Sequence, residues 1–92
     1  MIFWDEEKNT KLRKERGVCF EEVVERIVSN GIVDILEHRT RKNQKIFVVM
    51  LNGRIHAVPF IWDEGGNIFL KTIYPSRRLQ RRYGKIQDQT EA

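Results

Sequence analysis

Residues 46–61 read Ile46-Phe47-Val48-Val49-Met50-Leu51-Asn52-Gly53-Arg54-Ile55-His56-Ala57-Val58-Pro59-Phe60-Ile61. Two apolar runs rich in β-branched residues flank an Asn-Gly pair. Asn-Gly is the strongest short-range signal for a two-residue hairpin turn, because both turn positions need a positive φ. The stretch therefore predicts two antiparallel strands joined by a tight turn. Pro59 has no N–H to donate, so we expect a sheet edge or a bulge beside it.

Two helices are predicted before this hairpin. Residues 5–16 begin at Asp5, which is a good N-cap residue, and end at Gly17, which is a good helix terminator. Residues 19–29 form a second helix with an apolar stripe at helical spacing, made of Phe20, Val23, Val24, Ile27 and Val28. Such a stripe needs an apolar sheet face to cover.

Further strands and a last helix complete the predicted order. A short strand at residues 32–37 precedes a basic loop at 38–44, and a strand at 67–74 follows a Gly-rich turn. Strict alternation in that strand places Lys71 and Ile73 on the same face. Pro75-Ser76 then opens a short arginine-rich helix to about Tyr83, and residues 86–92 are expected to form a frayed tail.

These elements predict an α+β fold. Two N-terminal helices pack on an antiparallel sheet of about four strands, and a short arginine-rich helix follows at the C-terminus. The 92 residues, of which 40% are hydrophobic and 33% charged, suit a single small domain over residues 1–92. No uncharged run approaches the roughly 20 residues that a bilayer span needs. The first residues show no secretory pattern, and Cys19 is the sole cysteine, so we expect a cytoplasmic protein with no membrane contact.

The basic residues are concentrated near the C-terminus. Residues 1–70 hold equal numbers of basic and acidic residues, so the net charge of +4 lies in residues 71–92. Arg77, Arg78 and Arg81 are the candidates for phosphate contact, because residues four apart share a helix face. A solvated helix surface, or a surface that meets an acidic protein partner, would carry the same charge. A second basic cluster lies in and beside the 38–44 loop, where it either clamps an RNA backbone or is simply solvated: Arg39, Arg41, Lys42 and Lys45.

Three further side chains are candidates for proton transfer. Lys71 lies in an apolar strand, and His56 lies mid-strand with an ordinary pKa near neutrality. Tyr83 follows the arginines and can stack on a base or give a proton. Each also has a structural interpretation, as an edge lysine that reaches water or as a packing residue. Asp, Glu, His and Cys residues nowhere show metal-ligand spacing, and there is no phosphate-binding or dinucleotide-binding motif, so neither metal nor cofactor is expected.

Two pairs of motifs carry a resemblance over about residues 2–84. The first is Trp4-Asp5-Glu6-Glu7-Lys8 followed by Gly17-Val18-Cys19-Phe20-Glu21-Glu22. The second is Thr72-Ile73-Tyr74-Pro75-Ser76-Arg77-Arg78 followed by Arg81-Arg82-Tyr83. In order and spacing they resemble the BrnT family, which are small toxins of type II toxin–antitoxin pairs with a fold similar to RelE-type ribonucleases.

The resemblance implies a toxin that is an endoribonuclease and cleaves mRNA without metal. Its candidate catalytic residues are Arg77, Arg78, Arg81, Lys71, Tyr83 and His56. The implied partners are an RNA substrate and a cognate antitoxin with its own DNA-binding domain, which we expect to cover Arg77–Tyr83. Operator DNA would be bound only through the antitoxin complex.

The chain also departs from that family. Arg16 stands where the family usually has a histidine. Asn43-Gln44-Lys45 stands where it commonly has Tyr-Gly-Glu, and Asp63-Glu64-Gly65-Gly66 stands where it often has a turn with an arginine. The alternative is therefore a non-catalytic module of the same fold that binds RNA, DNA or the antitoxin.

Overall fold

The computed structural model describes residues 1–91, and the side chains of residues 1–84. In chain order the elements are β1 (Ile2–Phe3), α1 (Glu6–Arg16), α2 (Phe20–Val28), β2 (Asp34–Glu37), β3 (Gln44–Leu51), β4 (Arg54–Trp62), β5 (Ile68–Leu70), β6 (Tyr74–Pro75) and α3 (Arg77–Glu91). The predicted α+β class is confirmed. Within the described residues, no helix is both long enough and apolar enough to cross a membrane.

The hairpin of β3 and β4 forms the centre of the sheet. The two strands pair antiparallel through eight residue pairs, and Asn52 and Gly53 have the positive φ values that the turn needs, 51° and 73°. The strand order is β1-β5-β4-β3-β2, and β6 also pairs with β4. β1 runs parallel to β5. The sheet is therefore mixed and six-stranded, whereas the sequence predicts an antiparallel sheet of about four strands.

Helices cover both faces of the hairpin. On one face α1 and α2 pack against β3 and β4 through Leu12, Phe20, Val23, Phe47, Val49 and Val58. On the other face α3 packs against the same strands through Leu79, Tyr83, Val48, Ile55 and Ala57. Because both faces are buried, the two strands read as nearly continuous apolar runs.

A buried asparagine joins the two N-terminal helices. Asn9 of α1 has no exposed surface, and its Oδ1 accepts a hydrogen bond from the Phe20 N–H at 2.8 Å. Its Nδ2 donates to Glu6 at 3.2 Å and to Glu21 at 2.8 Å. The Phe20 N–H belongs to the first turn of α2, where backbone donors have no partner within the helix. A side chain of α1 thus supplies the missing acceptor and fixes the start of α2.

An extra residue interrupts the strand predicted at 67–74. Leu70 lies opposite Phe60, and Tyr74 lies opposite Ala57, so this side advances four residues where β4 advances three. The resulting β-bulge turns Ile73 back to the face of Leu70, and both side chains are fully buried in one cluster. The predicted alternation is therefore wrong beyond Leu70, and Lys71 is exposed rather than packed beside Ile73.

The last helix is fixed to the start of β4 by side chains. Ser76 caps it, since its Oγ accepts from the Leu79 N–H at 3.2 Å, and its own N–H donates to the Ile55 carbonyl at 3.2 Å. The Gln80 Oε1 accepts from the Ile55 N–H at 2.7 Å. α3 extends well beyond the predicted end at about Tyr83. The tail predicted at residues 86–92 lies outside the residues whose side chains are described.

Asn9→Ala leaves the Phe20 N–H without an acceptor in the interior. We expect the free energy of unfolding to fall by about 2 kcal/mol. Lys11→Ala is the control, because Lys11 is an exposed residue of the same helix, and it should change this energy by less than about 0.5 kcal/mol. Urea unfolding followed by circular dichroism measures both, and a wild-type midpoint for Asn9→Ala would contradict the assigned role.

Candidate functional site

A groove of about 410 Å³ lies on the α3 side of the sheet, between the start of α3 and the loop that follows β2. Its apolar floor is formed by Leu36, Ile46, Ala57 and Leu79. Its polar and aromatic lining consists of Glu37, His38, Arg39, Tyr74, Ser76, Arg78 and Arg82. We call it the basic groove, because its lining includes three arginines and one carboxylate. That carboxylate, Glu37, already has a cation 3.5 Å away, in Lys45.

Two arginines of α3 line the basic groove and two do not. Arg78 and Arg82 lie four residues apart on the helix and both contribute to the lining. Arg77 and Arg81 are exposed, and among the residues described they are not part of this lining. Of the three arginines predicted to contact phosphate, the structure brings Arg78 alone to the groove. Its groove partner is Arg82, which the sequence prediction did not include among the site residues.

The loop after β2 supplies the opposite side of the basic groove. Arg39 lines it, and so does His38, which the sequence presents as an isolated histidine. The His38 Nδ1 accepts hydrogen bonds from the N–H groups of Thr40 at 3.2 Å and Arg41 at 3.1 Å. The position of His38, directly after a strand and at the start of a basic loop, was the available signal. What the sequence does not show is that this loop faces the start of α3.

Tyr83 links α3 to β2 through a hydrogen bond. Its side chain is 7% exposed, and its hydroxyl donates to the Asp34 Oδ2 at 2.5 Å. This hydrogen bond lowers the pKa of Asp34 and raises the pKa of Tyr83. The Arg82 guanidinium lies 5.4 Å from the centre of the tyrosine ring. Tyr83 therefore holds the helix in place beside the basic groove, and its hydroxyl proton is already engaged.

The other two candidates for proton transfer lie elsewhere. His56 is buried, and it pairs across the hairpin with Val49, whose side chain belongs to the α1–α2 side of the sheet. A ring nitrogen, Nδ1, lies 2.9 Å from the Arg54 carbonyl, and burial lowers the pKa of the imidazole. Lys71 is exposed at the bulge. Among the described residues, neither side chain is part of the lining of the basic groove.

A second groove lies on the α1–α2 side of the sheet. Its volume is about 390 Å³, and its apolar lining comes from Ile27, Ile35, Phe47, Phe60, Trp62 and Ile68. We call it the apolar groove. Lys45 lies 5.3 Å from the centre of the Trp62 ring, and the indole N–H is buried without a hydrogen-bond partner among the described residues. Among all the residues that the structure describes, no three His, Cys, Asp or Glu side chains lie close enough together to bind a metal ion.

Comparison with known proteins gives no relative for this chain. No protein-family model, curated protein or solved structure matches it.

Tyr83→Phe removes the hydroxyl group that donates a hydrogen bond to the Asp34 carboxylate. We expect the melting temperature to fall by a few degrees at neutral pH, since one hydrogen bond to a carboxylate is lost. Tyr74→Phe is the control, because Tyr74 is 38% exposed, and it should leave the melting temperature unchanged within error.

The Tyr83→Phe difference should also depend on pH. The folded state lowers the pKa of Asp34, so this contribution is present above the ordinary carboxyl pKa of about 4 and is lost as the pH falls through the folded value. The folded state raises the pKa of Tyr83, so the contribution is also lost at strongly alkaline pH. Calorimetry across pH measures this, and a difference that persists unchanged in acid would contradict the pairing.

Proposed function

We propose that this protein is an endoribonuclease toxin and that the basic groove is where it binds RNA. The observation that carries the proposal is the convergence of Arg39, Arg78 and Arg82 on one groove at the start of α3. These residues come from a loop and a helix that are far apart in the sequence. The motif resemblance supplies the enzyme class, and the groove supplies the binding surface.

The groove chemistry suits a phosphate group. Guanidinium groups bind phosphate oxygens in pairs of parallel hydrogen bonds, and like charges four residues apart on a helix repel unless an anion lies between them. The first turn of α3 adds the positive end of the helix dipole to the same place. Phosphate positioned between Arg78 and Arg82 would satisfy both requirements.

The groove also has room for more than phosphate. Its volume of about 410 Å³ lies within the range of small-ligand sites. Tyr74 contributes an aromatic ring to the lining and is 38% exposed. Exposed aromatic rings stack on unpaired bases, which is how single-stranded RNA is commonly recognised. A single-stranded segment, with one base against Tyr74, is the substrate form that fits.

Cleavage would proceed through attack of a ribose 2′-oxygen on the neighbouring phosphorus, which breaks the bond between phosphorus and the 5′-oxygen of the next nucleotide and leaves a 2′,3′-cyclic phosphate. Negative charge then accumulates on the phosphate oxygens, and Arg78 and Arg82 would stabilise it. The reaction also needs an acceptor for the proton of the 2′-hydroxyl and a donor of a proton to the leaving 5′-oxygen. Lys71, His56 and Tyr83 do not line the groove within the described residues, and this observation favours the second candidate function: a module of the same fold that binds RNA, DNA or the antitoxin without cutting.

The partner in this proposal is a cognate antitoxin with its own DNA-binding domain. The complex would form in the cytoplasm and bind operator DNA through the antitoxin alone. Arg77 and Arg81 are exposed on α3 beside the basic groove, so an acidic antitoxin segment can contact them while it covers Arg78 and Arg82. One bound segment would therefore both neutralise the helix and exclude RNA.

Induced expression of the chain in a bacterial host separates the two candidate functions. The toxin proposal predicts growth arrest with newly cleaved RNA, relieved by the neighbouring gene and reduced by the double variant Arg78→Ala/Arg82→Ala. Sequencing of RNA ends soon after induction detects the cleavage. Normal growth with intact RNA, from folded protein at a high level, would overturn the nuclease assignment and leave the binding module.

A binding experiment tests the groove itself. Arg78→Ala/Arg82→Ala should weaken the binding of single-stranded RNA at least tenfold and flatten its salt dependence, because two phosphate contacts are lost. Arg77→Ala/Arg81→Ala is the matched control: it removes the same charge from the same helix outside the groove and should weaken binding no more than about threefold. If both double variants lost the same RNA affinity, α3 would act only through its net charge.

A further inference from the structure

We propose that His38 contacts the bound RNA directly, by donating its Nε2–H to a phosphate oxygen in the basic groove. This inference rests on the proposed RNA-binding function. It assigns a ligand contact to a side chain that the sequence presents as an isolated histidine. It also distinguishes a ring N–H donor on the loop from the guanidinium groups around it.

The first support is the tautomer that the loop imposes. The His38 Nδ1 faces two backbone N–H groups, those of Thr40 and Arg41, at 3.2 and 3.1 Å. A ring nitrogen that accepts hydrogen bonds carries no proton, so the proton of the neutral ring is on Nε2. Within residues 1–84 no hydrogen bond to Nε2 is present. The loop therefore determines which ring nitrogen is the donor, and that nitrogen is Nε2.

The second support is the location of the ring. His38 is half-buried and lines the basic groove, together with Arg39 from the same loop and with Arg78 and Arg82 from α3. A phosphate in this groove has more oxygen lone pairs than two arginines would use in bidentate contacts. A donor already held by two hydrogen bonds loses little conformational freedom when it binds. His38 thus fits as a preoriented contact to the same phosphate.

A purely structural role for His38 makes a different prediction. If the imidazole only holds the loop, any side chain that keeps the acceptor at Nδ1 will preserve RNA binding. His38→Asn is such a change, because the Asn Oδ1 replaces Nδ1 and nothing replaces Nε2. His38→Gln is the converse, because its amide N–H group reaches toward the position of Nε2 while the acceptor for Thr40 and Arg41 is lost. The two variants therefore separate the two ring nitrogens.

The experiment is a titration of single-stranded 2′-O-methyl RNA of about 12 nucleotides, labelled with fluorescein, followed by fluorescence anisotropy. This probe cannot be cleaved through its own 2′-oxygen. We expect His38→Asn to weaken binding about tenfold, as the loss of one hydrogen bond to a charged group does. His38→Gln should bind within about threefold of wild type. Thermal melting of each variant confirms that it is folded.

The outcomes distinguish this inference from the proposed function. Suppose that wild type binds the RNA and that Arg78→Ala/Arg82→Ala weakens this binding at least tenfold. If His38→Asn then binds like wild type, only the His38 contact is refuted. If His38→Asn binds like wild type and His38→Gln binds weakly, the ring acts through the loop and the contact is again refuted. If wild type does not bind RNA, or binds it independently of Arg78 and Arg82, the proposed function itself fails and the inference fails with it.

Discussion

The antiparallel pairing of β3 with β4 across the Asn52-Gly53 turn is the interaction on which the rest of the structure depends. Three strands pair directly with this hairpin, β2, β5 and β6, and β1 joins the sheet through β5. The helices α1 and α2 pack on one face of the hairpin and α3 packs on the other. A small domain has little apolar surface to bury, and a central hairpin that is covered on both faces buries the apolar side chains of both faces. Disruption of the hairpin would remove the support of both helical layers at once.

The direction of the groove arginines follows from how α3 attaches to this hairpin. Gln80 and Ser76 bind the backbone of Ile55 in β4, and Tyr83 binds Asp34 in β2. These contacts link the helix to two strands and lock its rotation about its own axis. Side chains on rigid elements hold a binding geometry more closely than side chains on loops. On the other side of the groove the loop compensates through His38, whose hydrogen bonds fold it back on itself.

The sequence predicts the hairpin, the caps of α1 and the apolar stripe of α2, because each depends on neighbours close in the chain. It does not predict the bulge, since an inserted residue breaks the two-residue period on which strand prediction relies. β1 has two residues and leaves no periodic pattern at all.

The sequence contains part of the information that determines which side of α3 faces the sheet. Leu79 and Tyr83 are its buried pair, and successive helical residues are about 100° apart, so Arg77 and Arg81 lie about 160° from them, away from the sheet. Recognition of that pair would have favoured Arg78 and Arg82 from sequence alone. Helix periodicity could not predict the position of His38 in the groove, because that position depends on a loop and a helix that meet across the sheet. Contacts between distant segments carry no local signal.

Backbone amide NMR spectra, recorded while 2′-O-methyl RNA is added, would show whether RNA binds in the basic groove, because they report on all surfaces of the protein at once. Binding in the basic groove predicts that the largest shifts fall on residues 38–41 and on the first turns of α3, with little change around the apolar groove. Shifts centred on α2 and Trp62, with residues 38–41 unchanged, would contradict it.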